Sequence, residues 1–488
     1  TQSFRTRFRM GVGDSPEAQE IPGDILGNSD AAMVFTPDDV RTNSPKTLSL
    51  VELNSQRALD IFRKIYAHSI RIGDNAPGWE ISYAREFDMT NDSKHFPPLE
   101  KWEAKGYKPD VFGRWIGPDG DVALPLYQGR VIHHFDFWRV GYVSGRGANA
   151  VWREMPLDAK CIEPMNLMSL DTFRAFGGKE CGMRVVFRDI ARNTDTRTMI
   201  ACSIPELPCN NKVPILTTLA STPNQLVLSA ALCSLSFDWC IRQRLTAASL
   251  NWFIVEECPV PRLHSTEPHL HRLAVSAACL TFLHRRFAPE WLRLKHLYPN
   301  LAAKEWKHWW AVTETDRLRL RVEIDALAAD LYGLDPDDYD WIVRDDPRDP
   351  KGFYRVDRHL PFRERLTGLA AAAFRALKED KWSAEGLRGL TPPGSPELSN
   401  DDFFALLGIA EMTSGPEPLI RKRDGCHRWA PEEFGKDDPR YGWTWEHCWQ
   451  DAVALLGSEE AVREYVEGPA EKSAEETPRM RTDLFGQP

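Results

Sequence analysis

Between Leu226 and Arg244 the chain carries apolar residues on nearly every side of a helical period, and it closes that run with Arg242-Gln243-Arg244. A helix without a polar face has to be wrapped by other elements. The segment is therefore expected to be buried at its start, capped by Asn224, with its basic end meeting solvent or a ligand. At 488 residues the chain exceeds one ordinary core. Roughly two to four domains are expected.

The flanking patterns fill in the rest. Residues 1 to 50 are rich in Gly, Pro, Asp and Asn and read as connector. Leu53 to Ile70 has helical spacing, with Ala58, Ile61, Phe62 and Ile65 on one side. From Gly78 to Pro125 short strands and loops are expected. Leu124 to Asp136 reads as strand, turn and second strand. Met183–Phe187 and Thr198–Ser203 read as strands, followed by a turn at Pro208-Cys209-Asn210-Asn211-Lys212. Asn251–Val255 reads as a short strand, and Pro259-Val260-Pro261 closes the domain. Residues 268–330 are helical, with a stripe of Leu270, Leu273, Ala274, Ala277 and Ala278. A further stripe over 317–333 ends at Tyr332-Gly333, where a helix C-cap favours glycine. Asp335 to Asp349 reads as an acidic turn region, Arg363 to Lys378 as a helix and Gly386 to Ser399 as a linker. Helix signals return over 400–457, and the last thirty residues read as disordered.

Composition excludes some classes. With 42% hydrophobic and 27% charged residues the chain is globular, and no apolar run is long enough to span a bilayer. No signal peptide is evident, and a start at Thr1 rather than Met points to a trimmed product or a piece of a longer polypeptide. Ten cysteines without a framework spacing fit a reducing cytoplasm. Cys426-His427 and His447-Cys448 make a poor zinc set, because adjacent ligands fit a tetrahedron badly. The net charge of −10 is uneven: from Asp401 onward nineteen acidic residues face ten basic ones, so the preceding four hundred are close to neutral. An acidic C-terminal extension can thus coexist with a basic face upstream.

The chemistry that stands out is arginine following a strand. Residues 184–198 run from a β-branched apolar stretch into Arg188, Arg192 and Arg197. An arginine fork reads a guanine edge in two contacts or grips a phosphate. Asp189 and Asp195 also allow ordinary surface ion pairs. Arg242, Gln243 and Arg244 rank second as nucleic-acid contacts, with helix C-terminal charge as the competing role. Arg130, His133 and His134 rank third, and on an alternating strand the two histidines face opposite sides. Lys212 could anchor a phosphate or stay a solvated turn lysine. Asn91, Asp92 and Ser93 read as a tight turn.

Six segments, in order, resemble the C-terminal half of the type IIG restriction-modification methylases and their phage-defence relatives, which are large bacterial adenine-specific DNA methyltransferases. They are DVRTNSPKT at 39–47 with RALDIFRKIY at 57–66, REFDMTNDS at 85–93, LYQGRVIHHFD at 126–136, the arginine run at 184–198, NWFIV at 251–255 leading to PVP at 259–261, and EIDALAADLYGL at 323–334. Together they cover roughly residues 35 to 385. In that family the N-terminal half binds S-adenosylmethionine and methylates the N6 of adenine through an Asn/Asp-Pro-Pro-Tyr/Phe tetrapeptide. The tetrapeptide is absent here, and Phe96-Pro97-Pro98-Leu99 does not supply it. The glycine-rich turn for the methionine moiety is absent too.

The resemblance implies an α+β chain. A connector and helix over 1–74 would lead from an absent methyltransferase domain. A mixed α/β target-recognition domain would span 75–265 and a helical domain 266–385. A linker and acidic C-terminal extension would occupy 386–488. It implies double-stranded DNA and an N-terminal methyltransferase domain or subunit as partners, with other defence-system proteins, in a bacterial cytoplasm. It implies no cofactor in this chain, S-adenosylmethionine belonging to the associated domain. A methylase must flip its adenine out of the stack, so a second body has to grip the duplex and choose the sequence. Specificity residues are expected between the shared motifs, where Trp102, Lys105, Lys108, Arg114, Trp138, Arg139, Arg146 and Arg153 lie. Two alternatives remain open. One is a protein-interaction or autoinhibitory subunit of a defence complex whose acidic tail occupies the DNA channel. The other is a metal nuclease built around Glu103-Ala104-Lys105.

Overall fold

The computed structural model describes residues 3–6, 32–179, 181–218, 221–246, 248–263, 268–349, 351–384, 398–409 and 440–468. Its largest all-antiparallel sheet on the N-terminal side has the order Ala201–Pro205, Met183–Phe187, Ile215–Thr218, Ile81–Ala84. Val185 and Val186 pair with Ser203 and Cys202 on one side and with Leu216 and Ile215 on the other. The β-branched run thus becomes an inner strand with its backbone satisfied from both edges. A second antiparallel sheet joins Leu167–Ser169, Val122–Pro125, Trp115–Ile116 and Lys108–Pro109. A separate two-stranded ribbon pairs Val140–Ser144 with Val151–Glu154.

The helix Thr222–Cys233 packs on the first sheet, and every side chain from Leu226 to Cys233 is buried. That is the fate an all-round apolar helix requires. The expected single helix is in fact two. Ser234 has ψ 154°, its hydroxyl donates to the Ala231 carbonyl at 2.7 Å, and it accepts the Phe237 N–H at 3.2 Å. It therefore caps a second helix, Leu235–Arg244. Ser221, not Asn224, precedes the first turn.

Three further expectations are corrected. Asn251–Val255 is not a strand: Trp252–Val255 forms one helical turn. Pro259–Pro261 is the strand there, and it pairs with Ser69–Arg71, so the two ends of the 75–265 stretch meet. The Leu53 to Ile70 pattern is the helix Gln56–His68, capped by Ser55. The acidic turn region contains the short helix Pro336–Ile342, capped by Asp335. The connector contributes more than expected, since Met33 and Phe35 are buried and Pro37–Asn43 is helical.

The C-terminal half is helical, as expected. Pro268–Thr281 packs along Thr222–Cys233, and Glu314–Leu331 packs against Pro268–Thr281 and Leu366–Lys378. One continuous core runs from Met33 to Val462, so the stretches on either side of residue 265 share their interior. Trp445–Leu456, within the stretch with helix signals, and Glu459–Glu467, within the thirty residues read as disordered, both dock on Ala288–Leu297. Most of the 386–399 linker and residues 469–488 lie outside the described residues. The chain is α+β, and no described helix is long and apolar enough to cross a membrane.

Candidate nucleic-acid interface

The turn from Arg130 to Arg139 organises the site. It is not the second strand that its alternation predicts. After Val122–Pro125 the chain makes isolated bridges, Tyr127 to Cys209 and His133 to Asp136, and Phe135 adopts φ +52°. Lys160 reaches in and bonds both Asp136 oxygens, at 2.6 and 2.8 Å, together with the Trp138 carbonyl at 3.1 Å. The turn is thereby locked from inside. Because it is no strand, His133 and His134 do not diverge: their rings lie 5.1 Å apart. His134 is buried with Nε2 at 2.7 Å from the Met199 carbonyl oxygen, while His133 stays partly open.

Arg188 leaves the end of the Met183–Phe187 strand and reaches this turn. It donates to the Ile132 carbonyl and, at 3.3 Å, to the Arg130 carbonyl. Arg130 is exposed, with its guanidinium 5.1 Å from the centre of the Trp152 ring. Arg139 begins the ribbon and meets Glu154 at 3.3 Å. Arg321 comes from the Glu314–Leu331 helix, one turn after Arg317. No described carboxylate lies within ion-pair distance of Arg130, Arg188 or Arg321.

The electrostatics register this crowding. Burial, then the neighbouring Arg139 and Arg130, push Arg188 down to about 10. Burial, then Arg197 and Arg317, push Arg321 to about 10. Burial depresses His133 well below its ordinary value, and Arg139, Arg188, Arg321 and Arg197 add to it. The arginines remain charged at neutral pH, and the imidazole between them is neutral. Asp325 and Glu314 offset part of the effect on Arg321. A cluster of like charges binds anions, because an incoming phosphate relieves repulsion as well as forming bonds.

Other predicted contacts lie elsewhere. Arg192 is exposed on the loop beyond the strand. Arg197 turns inward, donates to the Cys233 carbonyl and lies 3.5 Å from Asp238. Lys212 pairs with Asp189 at 2.9 Å, and Asp189 also holds Arg85. The basic helix end does not meet solvent. Arg242 bonds Asp238 and the carbonyls of Asp195, Thr196, Lys351 and Gly352, stacked 4.6 Å over Phe353. Gln243 donates to the Trp239 carbonyl and is buried. Arg244 ties Asn43, Ser44, Tyr66 and Glu257 together. These three are structural clamps, each donating to groups within the protein.

Among the unranked residues, Trp138 is fully buried and Trp102 nearly so. Arg114 pairs with Asp110 and Arg153 with Glu163, whereas Arg146 keeps a 70% exposed side chain. Asp88 accepts the Thr90 and Asn91 N–H groups, making the expected tight turn there. Glu103 ends a short helix and Lys105 follows in a turn, so the strand setting a metal nuclease needs is missing. No group of three potential metal ligands occurs among the described residues. His447 caps its own helix and Cys448 faces the core, while Cys426 and His427 lie outside the described residues. Arg317 and Arg321 stand one turn apart on the Glu314–Leu331 helix, among Arg319, Glu323 and Asp325, so the sequence does not single Arg321 out.

No protein-family model matches the chain, and no curated protein matches it significantly.

Proposed function

We propose that the chain is the DNA target-recognition half of a bacterial S-adenosylmethionine-dependent N6-adenine DNA methyltransferase of a restriction-modification or phage-defence system. The resemblance read from the six segments supplies the reaction and the setting. The observation that carries DNA binding is the convergence of Arg139, Arg188 and Arg321 on His133, with Arg130 beside Arg188, three of these four arginines making no ion pair among the described residues. In this reading the arginines take backbone phosphates and fix the register of the duplex, which supplies affinity without sequence information. The methyl donor and the flipped adenine belong to the associated domain.

The test is duplex affinity as a function of salt. The full chain is expected to bind a mixed-sequence duplex, with log K falling linearly in log salt. Arg188→Ala and Arg321→Ala should each weaken binding for all sequences alike and lower the slope by about 1. Absence of duplex binding at about 50 mM salt would remove the proposal.

A further inference from the structure

The ribbon that rises from the arginine floor has an unusual tip. Arg139 leads into Val140–Ser144, and Val151–Glu154 returns beside it, with the Met155 N–H bonded to the Arg139 carbonyl at 2.8 Å. At the tip the sequence reads Gly145-Arg146-Gly147. Both glycines have positive φ, +82° and +56°. A Cβ on Gly145 would sit 2.2 Å from the Asn149 carbonyl oxygen, so the turn requires glycine there. The Tyr142 hydroxyl braces the turn, placed 2.8 Å from the Gly145 carbonyl and 3.0 Å from Glu100.

The two faces of the ribbon differ. Tyr142 and Trp152 are paired on the inner face, and Arg130 lies over Trp152. Val143 and Val151 are each 52% exposed. Arg146 projects from the tip, and its ion-pair contact among the described residues is Glu100, at 4.0 Å. A contact that long between two exposed groups is weak, so the guanidinium is free to leave it. The other two arginines of the ribbon base are engaged, Arg139 with Glu154 and Arg153 with Glu163.

We infer that the Val140–Glu154 ribbon is the base-reading element, entering the major groove of duplex DNA with Arg146 as a specificity-determining contact. This rests on the DNA-binding reading above. A two-stranded ribbon fits a groove about 12 Å wide and 8.5 Å deep. At about 3.3 Å per residue the Val140–Ser144 strand is roughly 15 Å long, enough to reach base edges from a floor that holds phosphates. The exposed methyls of Val143 and Val151 suit the thymine C5-methyl, and the forked guanidinium of Arg146 suits guanine O6 and N7. The ribbon thus supplies what the floor lacks, groups whose bonding depends on the base.

The experiment is selection of duplexes from a randomised library by the full chain, followed by affinities of the selected site and of a scrambled duplex for wild type, Arg146→Ala and Arg146→Lys. The wild type is expected to enrich one motif. Arg146→Ala should lose preference at one or two adjacent positions and bind the selected site about 10- to 100-fold more weakly. Binding of the scrambled duplex should change by less than about twofold, and Arg146→Lys should not restore the preference, since a point charge cannot bridge two acceptors. Equal weakening for both duplexes would make Arg146 a phosphate contact and overturn the inference, with the proposed function intact. A wild type that binds duplex without any motif would overturn it too. A wild type that binds no duplex would overturn both.

Discussion

Asp238 decides the fate of two arginines that look, in the sequence, like ligand contacts. It is fully buried, accepts the Thr198 and Met199 N–H groups at 2.9 and 2.7 Å, and faces Arg242 at 2.9 Å and Arg197 at 3.5 Å. Its removal leaves two cations and two backbone donors inside the protein. Asp238→Ala is therefore expected to destabilise the fold by about 3–5 kcal/mol, the range for breaking a buried charged pair from one side. Urea unfolding measures this, and a loss below about 1 kcal/mol would show that the pair is solvated. The same residue explains a misreading. Residues 184–198 carry Arg188 and Arg197 nine positions apart, with acids beside both, and nothing local separates them. What separates them is Asp238, forty-one positions after Arg197, which draws Arg197 inward. Among the described residues, Arg188 meets carbonyls and other cations.

At the level of elements, the helix Glu314–Leu331 ends at Tyr332, and Gly333 turns the chain with φ +68°. A Cβ at this position would stand 2.4 Å from the His68 ring, so two separate requirements call for glycine. Gly333→Ala should lose about 1–2 kcal/mol from the left-handed backbone alone, and more from the collision. Made in a His68→Ala background, the same change should cost only the backbone part. Equal losses in both backgrounds, by thermal or urea unfolding, would show that the His68 ring swings away freely. This glycine was readable because a C-cap is a local rule, and so were the helices over 56–68 and 366–378. Interruptions were not readable. The stretch 226–244 keeps its apolar character through Ser234, whose hydroxyl ends one helix and starts the next. Residues 130–136 alternate like a strand, yet Lys160, a distant partner, pins Asp136 and folds them into a turn. Periodicity reports which faces are buried, and breaks depend on side chains brought from elsewhere.

Over the whole molecule, the docking of the C-terminal helices was the least legible feature, because acidic composition conceals the few apolar residues that bind. Cys448, Ala452 and Val462 are buried, and Tyr465 places its hydroxyl 3.0 Å from Glu290. Glu290 is itself buried, with Oε2 lacking a hydrogen-bond partner among the described residues, and burial pushes its carboxyl up to about 7 from an ordinary 4.5. Unfolded chains release this proton near 4.5 while the folded protein keeps it, so stability falls as pH rises from 4.5 to 7 and is level above. The buried histidines act in the opposite sense. Burial holds His284 down at about 3, and His133 and His134 well below 6.5, so each resists the protonation that the unfolded chain accepts, and stability falls as pH drops below 6.5. With respect to these four groups, stability is therefore expected to rise with pH until the histidines are neutral in the unfolded chain as well, near neutrality, with Glu290 offsetting part of that gain between pH 4.5 and 7, and to stay level above. Glu290→Gln keeps an acceptor for Tyr465 but cannot titrate. Its stability relative to wild type should climb by roughly 3 kcal/mol between pH 4.5 and 7 and then plateau. Melting temperatures of both proteins across pH 4.5 to 8.5 decide it. A difference that stays constant over that span would mean that Glu290 is ionised throughout, and that water reaches the seam between the Ala288–Leu297 helix and the C-terminal pair.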